Sequence, residues 1–398
     1  MLSWEPTFLR LLEEAAVPGA AVAFVAANEP DCLVNGGVRG GLAAGPVDAF
    51  TVFDAASLSK PVFAYLVLQL ADRGTFDLDS PIERYLPGYL RMDARSASIT
   101  VRHLLSHSGG LPNWRNADYP LRTWFVPGER FSYSGEGYLY LQRAVETVTG
   151  ERLEALAARH VFQPLAMERS SFVWQSRFDD NRAWPHDAFG LPALGNKPAE
   201  ANAAWSLQTC AADFARFLRA VLAGSRLQPE TARLWLSPQV EVKHCGTQRL
   251  EASAEDDVTG VAWGLGWGLE LGPETFFQWG DNGPYTAFVL GSLQERRAVV
   301  VFTNANSGMS IMPELMASLF PGERPSLKLL GYVANDAPVR RLLRAALLHG
   351  VEATWPEMQR SGLTQAELRW IAQGLNAKGR EKESGWLRSR SDDQPKAS

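Results

Sequence analysis

The amino-acid sequence predicts an α/β protein in which an antiparallel sheet, flanked by helices, carries an inserted all-helical domain. Three observations support this fold class. An apolar, β-prone run occupies residues 20–27, helical patterns and long loops fill 82–225, and short β-type runs return over 260–303. Closely spaced strands separated by Gly, Pro and Asn are typical of an antiparallel meander. The first and third segments are therefore expected to form one body.

We expect four parts along the chain of 398 residues. Residues 1–81 and 256–325 form a discontinuous α/β body, and residues 82–255 form the inserted helical domain. Residues 326–375 have the pattern of paired helices and predict a C-terminal helical extension. The final segment, 376–398, is polar and charged, a composition that favours disorder.

Two helices are predicted in the first part. Phe8, Leu11 and Leu12 have helical spacing, and that helix is expected to end near Pro18. The second helix covers residues 61–71, PVFAYLVLQLA, which are nearly all apolar. A helix without a polar face is buried on all sides, so this segment is expected in the core.

Composition excludes several classes of function. The net charge is −5, and no basic face points to nucleic acid. No apolar run reaches about 18 residues, so no membrane span is predicted. Three widely spaced cysteines do not suggest a disulfide framework. The N-terminus has the pattern of an amphipathic helix and not of a signal peptide, so a cytoplasmic protein is expected.

The lysines are few enough to be considered one by one. The chain has seven lysines and 32 arginines, and only Lys60 follows a serine by three residues. Ser57 and Lys60 then lie on one face of a helix, whose apolar surroundings favour neutral lysine. Serine needs such a base to act as a nucleophile. The string alone leaves open a helix-capping serine followed by an unrelated lysine.

Two further motifs lie downstream. Tyr133 lies in the string Phe-Ser-Tyr-Ser-Gly-Glu-Gly-Tyr, just before a predicted helix, and is able to exchange protons if a nearby cation lowers its pKa. Residues 278–283, Gln-Trp-Gly-Asp-Asn-Gly, end a β-type run and offer backbone donors. Taken singly, these two motifs are better explained by an aromatic packing residue and by a hairpin turn.

Together the three motifs have a known order: SxxK, then a tyrosine motif, then a glycine-containing strand motif. With this order the sequence resembles the serine β-lactamase and penicillin-binding-protein superfamily, and especially the family VIII carboxylesterases and class C β-lactamases. The likeness covers about residues 10–310. It extends to connecting stretches such as FDAASLSKPVFA, ITVRHLLSHSGGLP and FSYSGEGYLYLQ. The resemblance implies a β-lactamase/transpeptidase-like fold with its site between the two domains.

The resemblance also implies roles for individual residues. Ser57 matches the acylated nucleophile, Lys60 its activating lysine and Tyr133 the tyrosine general base. Residues 279–281, Trp279-Gly280-Asp281, match the third motif and are implied to bind substrate.

The oxyanion hole is implied to consist of the backbone N–H groups of Ser57 and Asn282. No metal ion or other cofactor is implied.

Two departures from the family pattern bear on substrate choice. Gly135 stands where lactamases usually have an asparagine that contacts the substrate's amide, and Trp279 stands where a lysine would meet a carboxylate. Both departures weaken recognition of a charged β-lactam and favour a small or hydrophobic ester. We therefore predict a serine hydrolase of small-molecule substrates, acting through an acyl-enzyme as a carboxylesterase. The alternatives are a β-lactamase or D-amino-acid peptidase or amidase on the same site, and a non-catalytic binding relative.

Other sites are disfavoured. His103 and His107 have the spacing of two metal ligands, but Leu104 stands where HExxH has its glutamate. The sequence has no GxSxG elbow and no Walker A loop. It does not indicate an oligomeric state.

Overall fold

The fold is that of a computed structural model, which describes residues 3–41, 45–90, 93–252 and 256–392. The strands are β1 Gly19–Ala26, β2 Cys32–Gly37, β3 Phe53–Asp54, β4 Gln208–Thr209, β5 Val240–Glu241, β6 Val261–Trp263, β7 Gly268–Glu270, β8 Thr275–Asp281, β9 Thr286–Ser292 and β10 Arg297–Thr303. The helices are α1 Glu5–Glu14, α2 Ser59–Asp72, α3 Val101–Leu105, α4 Gly135–Thr149, α5 Leu153–Ala157, α6 Ala211–Ala223, α7 Pro229–Trp235, α8 Met312–Leu319, α9 Pro325–Leu330, α10 Pro338–His349, α11 Val351–Arg360, α12 Gln365–Ala377 and α13 Glu381–Asp392.

Eight strands form one antiparallel sheet in the order β2-β1-β10-β9-β8-β7-β6-β5. Successive side chains of a strand point to opposite faces of the sheet. Since the strands are apolar at nearly every position, both faces of this sheet are apolar. In β10, Val300 and Phe302 face the core that includes α2 and α6, while Val299 and Val301 face the core that includes α1 and α8. This explains why the strands have nearly continuous apolar sequences. The fold class predicted from the sequence is confirmed.

Helix α2 lies in the middle of the larger core. Its residues 59–70 are all buried, as its sequence without a polar face predicts. The segment 82–255 is mainly helices and loops, but it also contributes two short strands: β4 pairs with β3, and β5 pairs with β6 at the end of the sheet. The division of the chain at residues 82, 256 and 326 stays a prediction.

The prediction of a disordered tail from residue 376 is wrong for the described residues up to 392. Helix α13 packs on α10, α11 and α12 in a core of its own, where Leu387 is fully buried. Ser384 donates to the carbonyl oxygen of Ala372 at 2.7 Å, and Trp386 packs edge-on against Trp355. The polar composition of this segment did not predict a helix, because two apolar side chains, Trp386 and Leu387, suffice to anchor it. Residues 393–398 lie outside the described residues.

We expect Leu387→Ala to destabilise the helical extension by about 2–4 kcal/mol, because the change leaves a cavity in a small core. The free energy of opening of the α13 amides, from hydrogen–deuterium exchange, measures this effect. Leu348→Ala is the matched control, since that side chain is 76% exposed, and it should change the same quantity by less than about 0.5 kcal/mol. Unprotected amides over 381–392 in the unmodified protein would contradict the docked helix.

Candidate active site

Ser57 and Lys60 meet at the start of α2. Ser57 is partly exposed in a 3₁₀ turn, Ala56–Leu58, that leads into the helix. Lys60 Nζ lies 3.0 Å from Ser57 Oγ and donates to the carbonyl oxygen of Ala204 at 2.7 Å. Lys60 is fully buried, and this burial lowers its pKa well below the usual value for lysine. The structure therefore combines a serine at the surface with a desolvated amine directly behind it.

The turn before the nucleophile has an unusual backbone. Ala56 has a φ of +46°, in the left-handed region that a residue with a Cβ rarely adopts. Its N–H donates to Oδ1 of Asp54 at 2.9 Å, the local bond by which an aspartate stabilises a turn two residues ahead. Burial raises the pKa of Asp54 to about 6, against the opposing effect of its hydrogen bonds. The sequence Asp-Ala-Ala-Ser thus folds into the turn that presents Ser57.

Tyr133 lies just before α4, as predicted. The next residue, Ser134, caps that helix by accepting from the N–H of Gly137 at 2.8 Å. The Tyr133 ring lies beneath Lys60, whose Nζ is 4.6 Å from the ring centroid. Burial raises the pKa of Tyr133 above its ordinary value, although hydrogen bonds with Ser57 and Gln278 partly offset the shift. The condition that a nearby cation lowers this pKa is therefore not met, because burial of the phenol has the larger effect.

In the third motif Gln278, and not Trp279, is the side chain that reaches the site. Gln278 Nε2 donates to the Tyr133 hydroxyl at 2.9 Å and to the carbonyl oxygen of Ser57 at 3.1 Å. Trp279 points to the other face of the sheet, where its ring packs against Tyr133 and Trp263. Gln278 belongs to the third motif, but its sequence context did not predict a role for it. The period of two along a strand, counted from Gly280, would have found it.

The edge of β8 at residues 278–281 faces the nucleophile turn. This edge is open because β7 pairs only with Thr275–Phe277. A Cβ at residue 280 would collide with the carbonyl oxygen of Ala55, so glycine is what allows the strand to approach the turn.

The backbone N–H of Asn282 is already occupied. It donates to the carbonyl oxygen of Tyr285 at 3.1 Å, across the β8–β9 turn. Hydrogen-bonded and non-bonded pairs alternate along an antiparallel ladder, so the N–H of Asp281 points to the opposite edge, toward the Ser57 turn. The assignment of Asn282 N–H to the oxyanion hole is therefore wrong, and Asp281 is the residue of this strand that offers a donor there.

The side chains of Asp281 and Asn282 are held by other residues and do not contact Ser57 itself. Asp281 accepts from the Tyr332 hydroxyl at 2.7 Å and from the N–H of Gly283 at 2.8 Å. The Asn282 amide donates to Asp54 Oδ1 at 2.9 Å. Both side chains thus hold the strand end and its turn in place.

Gly135 has an aromatic neighbour that the sequence did not reveal. A Cβ at this position would lie 2.6 Å from the ring of Trp114, which is 42% exposed. The Trp114 loop is bonded to the start of α4, where Asn113 accepts from the N–H groups of Gly135 and Glu136. The indole therefore occupies the space that an asparagine side chain would need.

The histidine pair has a packing role in the structure. His107 accepts from the N–H of Ser134 at 3.0 Å and its ring lies 4.2 Å from that of Tyr133. Within the described ranges, no three His, Cys, Asp or Glu side chains converge to hold a metal ion. Among the helices of those ranges, none has the length and apolar character needed to cross a membrane.

Comparison with known proteins identifies the family of the chain. The model of the Beta-lactamase family matches residues 5–317, which is most of the chain.

The chain belongs to the Beta-lactamase family.

Two curated relatives differ in what their names describe. The chain is 27% identical over 293 residues to penicillin-binding protein 4 of Amycolatopsis lactamdurans, a match that covers 67% of this chain and 74% of that protein. It is 32% identical over 160 residues to esterase EstB of Burkholderia gladioli, but this match covers 32% of the chain and 40% of the esterase. The resemblance inferred from the motifs is confirmed, and the chain is a member of the serine hydrolase superfamily.

Solved structures show the same fold at low sequence identity. The octameric penicillin-binding protein homologue from Pyrococcus abyssi has a TM-score of 0.67 at 20% identity, covering 86% of this chain and 80% of that one. A class C beta-lactamase has a TM-score of 0.64 at 17% identity, covering 81% of this chain and 96% of that one.

We expect Gly280→Ala to slow labelling of Ser57 by a fluorophosphonate about 100-fold, since a misplacement of about 1 Å at a reacting centre has effects of this size. The added methyl group pushes β8 away from the carbonyl oxygen of Ala55. Mass spectrometry of the labelled peptide measures the rate. Gly272→Ala is the control because that position is exposed with free space around it. Equal labelling rates in the two variants would show that the close approach is unimportant.

Proposed function

We propose that the protein is a carboxylesterase that cleaves small or hydrophobic esters through a Ser57 acyl-enzyme. The observation that carries this proposal is the 3.0 Å contact between Ser57 Oγ and the buried Lys60 Nζ. Burial lowers the pKa of Lys60 and so favours its neutral form, which is a base.

Acylation begins when Ser57 Oγ attacks the ester carbonyl carbon. The new C–O bond forms as the serine proton passes to Lys60 Nζ and the carbonyl π electrons move onto the oxygen. The resulting oxyanion accepts hydrogen bonds from the backbone N–H groups of Ser57 and Asp281. Donors fixed in place before the reaction are effective because they need no reorganisation as charge develops.

Collapse of the tetrahedral intermediate breaks the bond to the alcohol. Tyr133 donates its hydroxyl proton to the departing oxygen and regains a proton from Lys60, a relay supported by its position beside both Ser57 and Lys60. A water molecule then attacks the acyl carbon and gives its proton to Tyr133, which passes its own hydroxyl proton to Lys60. The bond between the acyl carbon and Ser57 Oγ breaks, Lys60 returns the proton to Oγ, and the acid leaves. Tyr133 serves better as a proton relay than as a resident phenolate because burial raises its pKa.

Two features favour a neutral ester over a β-lactam. Gln278, an uncharged amide, is the strand side chain that reaches the Tyr133 hydroxyl. The Trp114 indole lies over Gly135, so this wall of the site is aromatic and lacks the amide of an asparagine. An uncharged, partly aromatic site gains most from apolar substrate groups.

A second candidate is hydrolysis of a β-lactam or a D-amino-acid amide by the same groups. The match to a penicillin-binding protein over 67% of the chain favours it. The acylation chemistry is identical, so the two candidates differ in substrate recognition alone.

We expect the protein to hydrolyse p-nitrophenyl butyrate faster than a chromogenic cephalosporin, and Ser57→Ala to lower the ester kcat/KM at least about 1,000-fold. Parallel spectrophotometric assays measure both substrates. Ser176→Ala, an exposed serine, should retain the original rates. Faster turnover of the cephalosporin would favour the second candidate. Undiminished ester turnover in Ser57→Ala would remove the proposal.

We expect kcat/KM for the ester to rise with pH as Lys60 loses its proton, well below the usual lysine pKa, and then to stay level. The plateau follows because burial raises the pKa of Tyr133 and keeps its hydroxyl protonated. A pH profile measures this, and Tyr133→Phe should lower the plateau without moving its acid limb. A rate that keeps rising toward the tyrosine pKa would instead identify phenolate as the base.

A further inference from the structure

We infer that Asp54 and Asn282 form a positioning pair that fixes the nucleophile turn against the oxyanion strand. The inference rests on the proposed function and assigns to it two side chains that do not touch the substrate. Asp54 is three residues before Ser57, and Asn282 directly follows Asp281. The contact between them therefore sets the distance between the two backbone N–H groups of the oxyanion hole.

Asp54 holds the nucleophile turn from inside the protein. Its side chain is buried, with Oδ1 accepting from the strained Ala56 at 2.9 Å and from Asn282 Nδ2 at 2.9 Å. Its second oxygen lies 3.1 Å from the same amide nitrogen. One carboxylate thus binds the residue before Ser57 and the residue after Asp281.

Asn282 extends the contact to the segment that holds the base. Its Nδ2 also donates to the carbonyl oxygen of Trp205 at 3.3 Å. The neighbouring carbonyl, that of Ala204, accepts from Lys60 Nζ at 2.7 Å. The amide of Asn282 therefore joins the turn carrying the nucleophile, the strand carrying the oxyanion donor and the segment that orients the lysine.

Stability alone gives no reason for a buried carboxylate at this place. Burial disfavours the ionised form of Asp54, and its partner in the pair is a neutral amide. Replacing a buried charged group by apolar groups of similar volume commonly leaves a protein equally stable or makes it more stable. A role in holding the geometry of the site explains the pair better than a contribution to folding.

The test reverses the polarity of the pair. In Asp54→Asn the new side chain still accepts from Ala56 through Oδ1, but its NH₂ group replaces Oδ2, which lies 3.1 Å from the amide nitrogen of Asn282. Two donors then face each other, and their repulsion weakens the remaining contact through Oδ1. In the double variant Asp54→Asn/Asn282→Asp the contact forms again, with the donor now on residue 54. Recovery should be partial because the carboxylate at 282 cannot donate to the carbonyl oxygen of Trp205.

The chain contains a matched control. Asp48 accepts from the N–H of Phe50, two residues ahead, at 2.8 Å and from the Asn181 amide at 2.9 Å and 3.0 Å. This pair has the same local geometry, but Asp48 is exposed and outside the site. Asp48→Asn removes an equivalent contact without touching the proposed machinery.

We expect Asp54→Asn to lower kcat for p-nitrophenyl butyrate about 10- to 100-fold, with KM changed by less than about 3-fold. The double variant should recover at least about 5-fold of that loss, and Asp48→Asn should keep the original kcat. The affinity of butylboronic acid, whose tetrahedral adduct on Ser57 uses the oxyanion hole, should fall in parallel with kcat. A purely structural role would not lower kcat and boronate affinity while leaving KM nearly unchanged.

Unchanged kcat and boronate affinity in Asp54→Asn would overturn the inference, as would a double variant no better than the single one. Failure of the proposed function has a different signature: the unmodified protein then leaves the ester intact. In that case boronate affinity and the rate of fluorophosphonate labelling of Ser57 still decide the inference, since neither needs turnover. The inference is supported if Asp54→Asn lowers both the boronate affinity and the labelling rate and the double variant recovers them. Absence of that pattern overturns the inference.

Discussion

The site depends on one contact, the hydrogen bond between Lys60 Nζ and Ser57 Oγ at the start of an apolar helix. An ammonium group in such surroundings is costly, and the lysine lowers that cost by giving up its proton. For this to happen α2 must be covered on every side. The sheet on one side and the helices of the inserted segment on the other supply that cover. The core around α2 therefore bears on the proposed chemistry, since burial lowers the pKa of Lys60.

The second constraint is an open stretch of sheet edge. Edge strands leave N–H and C=O groups unpaired, and proteins usually shield them. Here β7 ends early, and the nucleophile turn covers residues 278–281 of β8 in its place. The N–H of Asp281 on this edge is the donor that we propose for the oxyanion. Gly280 permits β8 to approach the nucleophile turn closely, and the Asp54–Asn282 contact sets the distance between them.

The sequence predicted the features that are local and missed those that depend on register or distance. Ser57 and Lys60 are three residues apart on one helix, so their proximity follows from helical geometry. Asn282 and Trp279 were given the positions that belong to Asp281 and Gln278, because a shift of one residue along a strand reverses which groups point to the site. Trp114 was missed because its contact with Gly135 joins segments that no local pattern connects. Helix α13 was missed because its stability comes from docking and not from its own composition.

The Trp114 indole is separate from the residues proposed to move protons, whereas Gln278 contacts them directly. Ser57 and Lys60 lie at the start of the buried helix, and Tyr133 precedes the capped start of α4. Gln278 donates to the Tyr133 hydroxyl and to the carbonyl oxygen of Ser57. A change at Trp114 therefore alters what lies beside the nucleophile without removing any of the three groups, and a change at Gln278 also alters a hydrogen bond of Tyr133. One proton-transfer apparatus can therefore serve esters, β-lactams or peptides, with the walls selecting among them. In this chain the side chains beside the nucleophile include the Gln278 amide and the Trp114 indole. Neither carries the positive charge that would pair with a substrate carboxylate.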